Sequence, residues 1–347
     1  MNDDDKNNSN KRSRNNLINT DTNKKPRPIL LYDEFEDIII TEKSIPREFI
    51  KIETQISTIK DLIELGKTYD SNKDYNINMN MLNKLVEPLR ELDKMIGMLK
   101  VKHDIVDHIL FYIHNLDDKN VDMLHTVIEG PPGVGKTELG KILAKIYLAM
   151  GILKNDIFKK VSRSDMVAKY LGQTAIKTQD LIDSCFGGVM FIDEVYSLGN
   201  KTLHDSFSKE AIDTLNEKLS EMKNDFICIV AGYSKEINEC FFSYNQGLQS
   251  RFPIRFIIEP YKPKELLKIF IKICNEYGWE VDDSVKTSFF KKNFNDLKFF
   301  GRDIENLITM CKRAHCKRLM LEPNSKKKLI TLSDLKKGFN NFLTNKT

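Results

Sequence analysis

Three glycines and two prolines fall within eight consecutive positions, Gly130-Pro131-Pro132-Gly133-Val134-Gly135-Lys136-Thr137, and no other segment constrains the fold as strongly. Upstream, Met123 to Ile128 is an apolar run of strand length. Downstream, Leu139, Ile142, Leu143, Ile146, Tyr147 and Met150 recur at helical spacing. A strand, a glycine loop and a helix in that order turn successive backbone N–H groups toward one anion, and the helix N-terminus adds its partial positive charge. A turn that only joined a strand to a helix would not need Lys136 and Thr137 together. The pattern is a G-x-x-x-x-G-K-T phosphate loop, so Gly130 through Thr137, with Glu138 opening the helix, are expected to cradle a nucleoside triphosphate. Lys136 would reach the β- and γ-phosphates, and the Thr137 hydroxyl would ligate Mg²⁺.

Strand-like runs at Ile157 to Val161, Val189 to Ile192, Phe226 to Val230 and Ile254 to Ile258 alternate with helical patterns. Near-continuous apolar strands between helices predict a parallel sheet covered on both faces. Val189-Met190-Phe191-Ile192 ends in Asp193-Glu194, and such a strand delivers its carboxylates to the edge where open α/β sheets bind ligands. Asp193 is expected to hold Mg²⁺ and Glu194 to orient the water that attacks the γ-phosphate, with helix capping as the plain alternative. Phosphoryl transfer depends on charge neutralisation, and Arg251 and Arg302 are candidate further cations.

The remainder of the chain sets limits. At 347 residues it has room for roughly two domains, and its net charge is only +4. Residues 1–28 carry seven Lys/Arg against four Asp, leaving +1 for everything else, so a globally basic nucleic-acid-binding body is not indicated. That segment is polar and is expected to be a disordered basic tail; Lys11-Arg12 and Lys24-Lys25-Pro26-Arg27 have the spacing of a bipartite nuclear signal or belong to a solvated arm. No apolar run approaches the ~20 residues of a membrane span, and no secretory signal is evident. An intracellular protein without a membrane partner is expected, cytoplasmic or nuclear. Six cysteines lack paired spacing; Cys311, His315 and Cys316 read as a packed helix rather than a metal site. Residues 47–115 read as helical with a break at Tyr69 to Asn78, and beyond Pro260 the pattern turns helical at Lys264–Tyr277, Arg302–Leu321 and Leu332–Leu343.

Several segments occur in order: the phosphate loop, Lys169-Tyr170-Leu171-Gly172-Gln173-Thr174, Gly187 to Glu194 with Tyr196-Ser197-Leu198, Ala231-Gly232-Tyr233, and Asn245 to Phe252. Together they resemble the CbxX/CfqX group of AAA+ ATPases, which includes red-type Rubisco activases and relatives of the sporulation stage V protein K. The resemblance covers roughly residues 90 to 322 and implies an AAA+ P-loop NTPase core followed by a small all-α lid. The organisation is then a tail (1–28), a helical extension (29–89), an α/β nucleotide-binding domain (90–260) and a lid (261–347). It implies that Ile96-Gly97 form the adenine pocket, that Arg251 is a finger reaching a neighbour's nucleotide, that Arg302 is the lid arginine called sensor 2, and that Tyr170 is the pore-loop aromatic. Salt-bridge roles for the arginines and a loop aromatic for Tyr170 are the alternatives. Gln246 replaces the family's usual proline, and the sensor 1 role has no clear residue beyond Tyr233 or Ser234. The activity implied is ATP hydrolysis in a homo-oligomeric ring, a hexamer, acting on an unidentified protein client; a nucleic-acid motor and an ATP-gated scaffold are the rival readings.

Overall fold

The computed structural model describes residues 47–118, 122–170, 172–199, 206–322 and 326–346. The expected tail at 1–28, the first part of the extension and Leu171 lie outside these residues.

A short strand, β1 (Glu48–Ile50), pairs in parallel with β2 (Lys73–Tyr75) on either side of α1 (Ile59–Lys67). This pairing was not foreseen in the break at Tyr69 to Asn78, because three-residue strands are too short to show a period of two. Helix α1 starts where Thr58 and Asp61 cap one another: the Thr58 N–H donates to Asp61 at 2.8 Å and the Asp61 N–H donates back to Thr58 at 3.3 Å. It then packs on α2 (Met79–Asp93) through Leu62, Ile63 and Gly66. Gly66 is required there, since a Cβ would lie 2.8 Å from the Leu82 carbonyl oxygen. In turn α2 lies against α4 of the core, with Glu91 paired to Lys145 at 2.7 Å, and α3 (Leu99–Ile113) follows it.

The core begins with β3 (Thr126–Glu129) and α4 (Lys136–Ala149), then β4 (Phe158–Val161), α5 (Arg163–Met166), α6 (Thr174–Asp183) and β5 (Val189–Ile192). It continues through α7 (Ser206–Glu221), β6 (Ile227–Gly232), α8 (Ser234–Glu236), α9 (Gln246–Ser250) and β7 (Ile254–Ile257). Five strands form one sheet in the order β4-β5-β6-β3-β7, parallel throughout. Alternation explains the unbroken apolar runs: Ile128, Phe191 and Ile229 pack with α2, α3 and α4, whereas Val127, Met190, Ile192 and Val230 pack with α6 and α7 on the other face. Gly140 lets α4 approach this sheet, because a Cβ would stand 2.5 Å from the Phe191 ring.

A polar brace crosses the core. His125 is fully buried; its Nδ1 accepts the Cys228 N–H at 3.1 Å and its Nε2 donates to the Leu219 carbonyl at 3.0 Å. Accepting at Nδ1 while donating at Nε2 requires the neutral ring, and burial lowers its pKa to about 4.

The C-terminal region contains α10 (Pro263–Glu276), β8 (Glu280–Val281), α11 (Thr287–Lys292), α12 (Phe300–Leu321), β9 (Leu329–Ile330) and α13 (Leu332–Thr344). Cys311 and His315 are buried on α12 while Cys316 is exposed, so the trio splits between two faces. His315 lies 3.3 Å from Asp334, which Arg318 grips through Nε at 2.9 Å and Nη2 at 3.0 Å. Two strands of two residues, β8 and β9, pair in parallel beside it and escaped the sequence reading for the same reason as β1 and β2. Among the described residues no helix is long and apolar enough to cross a membrane.

Candidate nucleotide site

Strand order decides what the site contains. Strand β6 lies between β3 and β5, so Tyr233 after β6 stands between the glycine loop after β3 and the carboxylates after β5. The loop takes left-handed turns at Gly133 (φ +73°) and Gly135 (φ +93°), which L side chains rarely adopt. Lys136 opens α4, and its Nζ donates to the carbonyls of Gly130 and Pro131 at 2.8 and 2.9 Å. The same ammonium stands 5.0 Å from the centre of the Tyr233 ring, and burial lowers its pKa. Tyr196 stacks on Tyr233 at 5.3 Å and 19°, completing an aromatic wall.

Thr137 donates to Asp193 Oδ2 at 3.1 Å, which brings two hard oxygen donors together from positions 56 residues apart. The same oxygen receives Lys160 Nζ at 2.7 Å. Lys160 was missed from the sequence, and no motif marks it; it reaches Asp193 because β4 pairs with β5 and places Lys160 opposite Phe191. Glu194 is exposed, with its backbone in the left-handed region at φ +51°. A non-glycine residue held there is strained, as is common for side chains that must be aimed.

These groups border a cleft of about 610 Å³. Of the expected residues, Ile96, Pro132, Gly133, Gly135, Lys136, Thr137, Glu138, Asp193, Glu194 and Arg302 line it. Gly97, Gly130, Pro131 and Val134 do not. Val134 is buried beneath the loop, where its carbonyl accepts the Tyr261 hydroxyl at 2.8 Å. Gly97 makes a left-handed turn (φ +73°) against the Tyr261 ring. Tyr261 therefore braces both the phosphate loop and the Ile96 turn, and sequence reading overlooked it because both contacts are long-range. Met95, Ile96, Ile269 and Ile273 give the lining an apolar component suited to a flat heterocycle, and Lys136 and Arg302 supply positive charge.

Arg251 lies outside the cleft, where Nε donates to Ser220 and Nη1 to the Gly247 carbonyl, both at 2.6 Å. Tyr170, between α5 and α6, is 69% exposed and does not border the cleft.

Residues 126–260 match the family described as ATPase family associated with various cellular activities (AAA). The cfxQ-like protein R730 of Acanthamoeba polyphaga mimivirus is 44% identical over 295 residues, covering 83% of this chain and 72% of that one. Stage V sporulation protein K of Bacillus subtilis is 34% identical over 252 residues, covering 68% and 77% respectively. The chain belongs to the CbxX/CfqX group of AAA+ ATPases. As an AAA+ ATPase it binds nucleotide and hydrolyses ATP. ESX-1 secretion system protein EccA1 of Mycobacterium tuberculosis is 32% identical to this AAA+ chain over 69% of its length but only 42% of its own. The FIGL-1 AAA domain in complex with ADP superposes with a TM-score of 0.50 at 16% identity, over 72% of this chain and 83% of that one, and shows the AAA fold.

Proposed function

We propose that this AAA+ ATPase works as a homo-oligomeric ring, a hexamer, that spends ATP on remodelling or threading a protein client. One observation carries the shared-site part of this reading: Lys136, Thr137, Asp193, Glu194 and Arg302 border one cleft, while Arg251 is held outside it by Ser220 and Gly247. Phosphoryl transfer gains much of its rate from an arginine that neutralises developing charge. In this reading Arg251 supplies it to the neighbouring subunit's nucleotide. Residues 90–260 then act as the nucleotide-binding domain and 261–347 as its lid.

Within one subunit, Lys136 leaves its carbonyl contacts to meet the β- and γ-phosphates, and Arg302 approaches them from the lid. Glu194 accepts a hydrogen bond from the attacking water and aims it at the γ-phosphorus. Thr137 and Asp193 would hold Mg²⁺, which suits hard oxygen donors and, when bound, neutralises phosphate charge. Lys160 must then give up Asp193 Oδ2. Tyr170, exposed on its loop, grips the client.

The relative named as a secretion system protein supports a protein client. The rival reading, a nucleic-acid motor, relies on the basic N-terminal arm and the basic stretch from Lys312 to Lys328, but three of the seven cations in that stretch are engaged within the C-terminal region. Lys312 lies 4.1 Å from the centre of the Tyr277 ring, Arg318 holds Asp334, and Lys326 pairs with Glu280.

Specific ATPase activity measured against protein concentration tests the shared site, with a rise on assembly as the expected result. Full activity in a monomer would sink it. Stimulation by unfolded polypeptide that is lost in Tyr170→Ala supports the client role, and stimulation by DNA that falls steeply with salt would replace it with the nucleic-acid reading. ATP-dependent assembly with no threading in an unfolding assay would leave a scaffold.

A further inference from the structure

The C-terminal region meets the phosphate loop through backbone. The Gly301 N–H donates to the Gly133 carbonyl at 2.9 Å, and the Phe299 carbonyl oxygen lies where a Cβ on Gly133 would be only 2.0 Å away. What fixes the Phe299–Gly301 turn is Asp303, one turn into α12. Its carboxylate is 3% exposed, and Oδ2 accepts the Phe299 N–H and Lys346 Nζ, each at 2.9 Å. Lys346 also donates to the Asp296 carbonyl at 2.8 Å, and its ammonium stands 5.3 Å from the Phe299 ring centre and 4.9 Å from that of Phe342.

One ammonium thus ties together the turn at Asp296, the start of α12 and the end of α13. A buried carboxylate stripped of its cation is strongly destabilised, and Lys346 is the cation paired with Asp303 among the described residues. Arg302 is the adjoining residue, so whatever holds Asp303 also holds the backbone from which Arg302 enters the cleft.

We propose that Lys346 is a positioning residue for nucleotide binding: by clamping Asp303 it keeps the Phe299–Gly301 turn seated on Gly133 and Arg302 directed at the phosphates. It acts through Asp303 and the backbone and touches no nucleotide. The inference rests on reading Gly130 to Thr137 as the phosphate loop.

The test compares the full chain with its Lys346→Met and Lys346→Arg variants, using binding of a fluorescent ADP, steady-state ATPase kinetics and amide exchange at Gly301. Lys346→Met is expected to weaken ADP binding and raise KM for ATP roughly fivefold, the scale of coupling carried by such networks. It should leave kcat within about twofold and speed exchange at Gly301. Lys346→Arg should restore all three. A folded Lys346→Met protein with unchanged ADP affinity and unchanged Gly301 exchange overturns the proposal. If Lys346→Met does not fold, the Asp303→Asn/Lys346→Met pair removes both charges together; roughly fivefold weaker ADP binding in it supports the clamp, and wild-type affinity overturns it. Lys136→Ala separates the two layers: if that variant still binds ADP normally, the phosphate-loop reading fails, whereas loss there with no effect at Lys346 removes only the clamp.

Discussion

The α/β core and the helical region after it serve one cleft by different means. The core supplies chemistry from strand ends: Lys136 and Thr137 follow β3, and Asp193 and Glu194 follow β5. The C-terminal region supplies Arg302, the apolar Ile269 and Ile273, and a backbone brace in which Gly301 donates to Gly133 at 2.9 Å. The groups proposed to meet the reacting atoms are short-range features of the sequence, whereas the brace depends on residues far apart along the chain. Changes at Glu194 and Arg251 should therefore strike turnover, a change at Lys136 should decide whether nucleotide binds at all, and changes in the brace should weaken affinity by a modest factor.

The largest effects test the core half of that contrast. Lys136→Ala should abolish nucleotide binding. If Arg251 serves a neighbouring subunit as proposed, Arg251→Ala should lower turnover by about 10³-fold or more, as loss of an arginine finger does, and mixing it with a subunit carrying Glu194→Gln should recover part of the activity. Glu194→Gln itself should bind ATP while turning over about 10² to 10⁴ times more slowly. Near-normal turnover in Glu194→Gln would remove that residue from the water-positioning role.

Acid separates the two regions next. His125 must be neutral to accept from Cys228 and donate to Leu219, and its pKa falls from 6.5 to about 4 on folding. The unfolded chain binds more protons between those values, so this contribution, about 3 kcal/mol, is fully present above pH 6.5 and drains away as pH falls toward 4. Asp334 behaves differently. Burial alone would raise its pKa, but the bonds from Arg318 and Thr331 outweigh it and hold it below 3.8. Its contribution persists until pH drops beneath the ordinary carboxylate value. Amide exchange at pH 5 should accordingly show β3 and β6 losing protection before α12 and α13. The reverse order would break the contrast.

The smallest effects probe the brace. Gly133→Ala combines a left-handed backbone with a Cβ 2.0 Å from the Phe299 oxygen, while Gly172 shares the left-handed backbone (φ +79°) with no atom within 4 Å of a new Cβ. Alanine at Gly172 should cost only the conformational strain, about 1–2 kcal/mol. Alanine at Gly133 should cost more in thermal denaturation and weaken ADP binding as well. Equal costs at the two positions would mean that the contact with Phe299 does not matter.

Much of the site was legible because its chemistry comes in contiguous pieces. The glycine loop and the Asp193-Glu194 strand end carry their meaning within eight and six residues. The five-stranded sheet was legible too, since buried parallel strands are apolar on both faces. Other parts were hidden for definite reasons. The strands β1, β2, β8 and β9 are two or three residues long, below any periodic signal. Lys160 reaches Asp193 only through strand pairing, Tyr261 braces Val134 from 127 residues away, and Lys346 pairs with Asp303 across 43.

The amino-acid sequence alone determined that a phosphate loop, a carboxylate-tipped strand and a parallel sheet belong to one AAA+ core. Local backbone freedom at glycine and alternating burial are written in neighbouring residues. Tertiary structure decided which side chains share the cleft, that Arg251 stays outside it, and that Asp303 is buried against Lys346. Those outcomes follow from strand order and packing between distant segments, and short-range pattern carries no record of either.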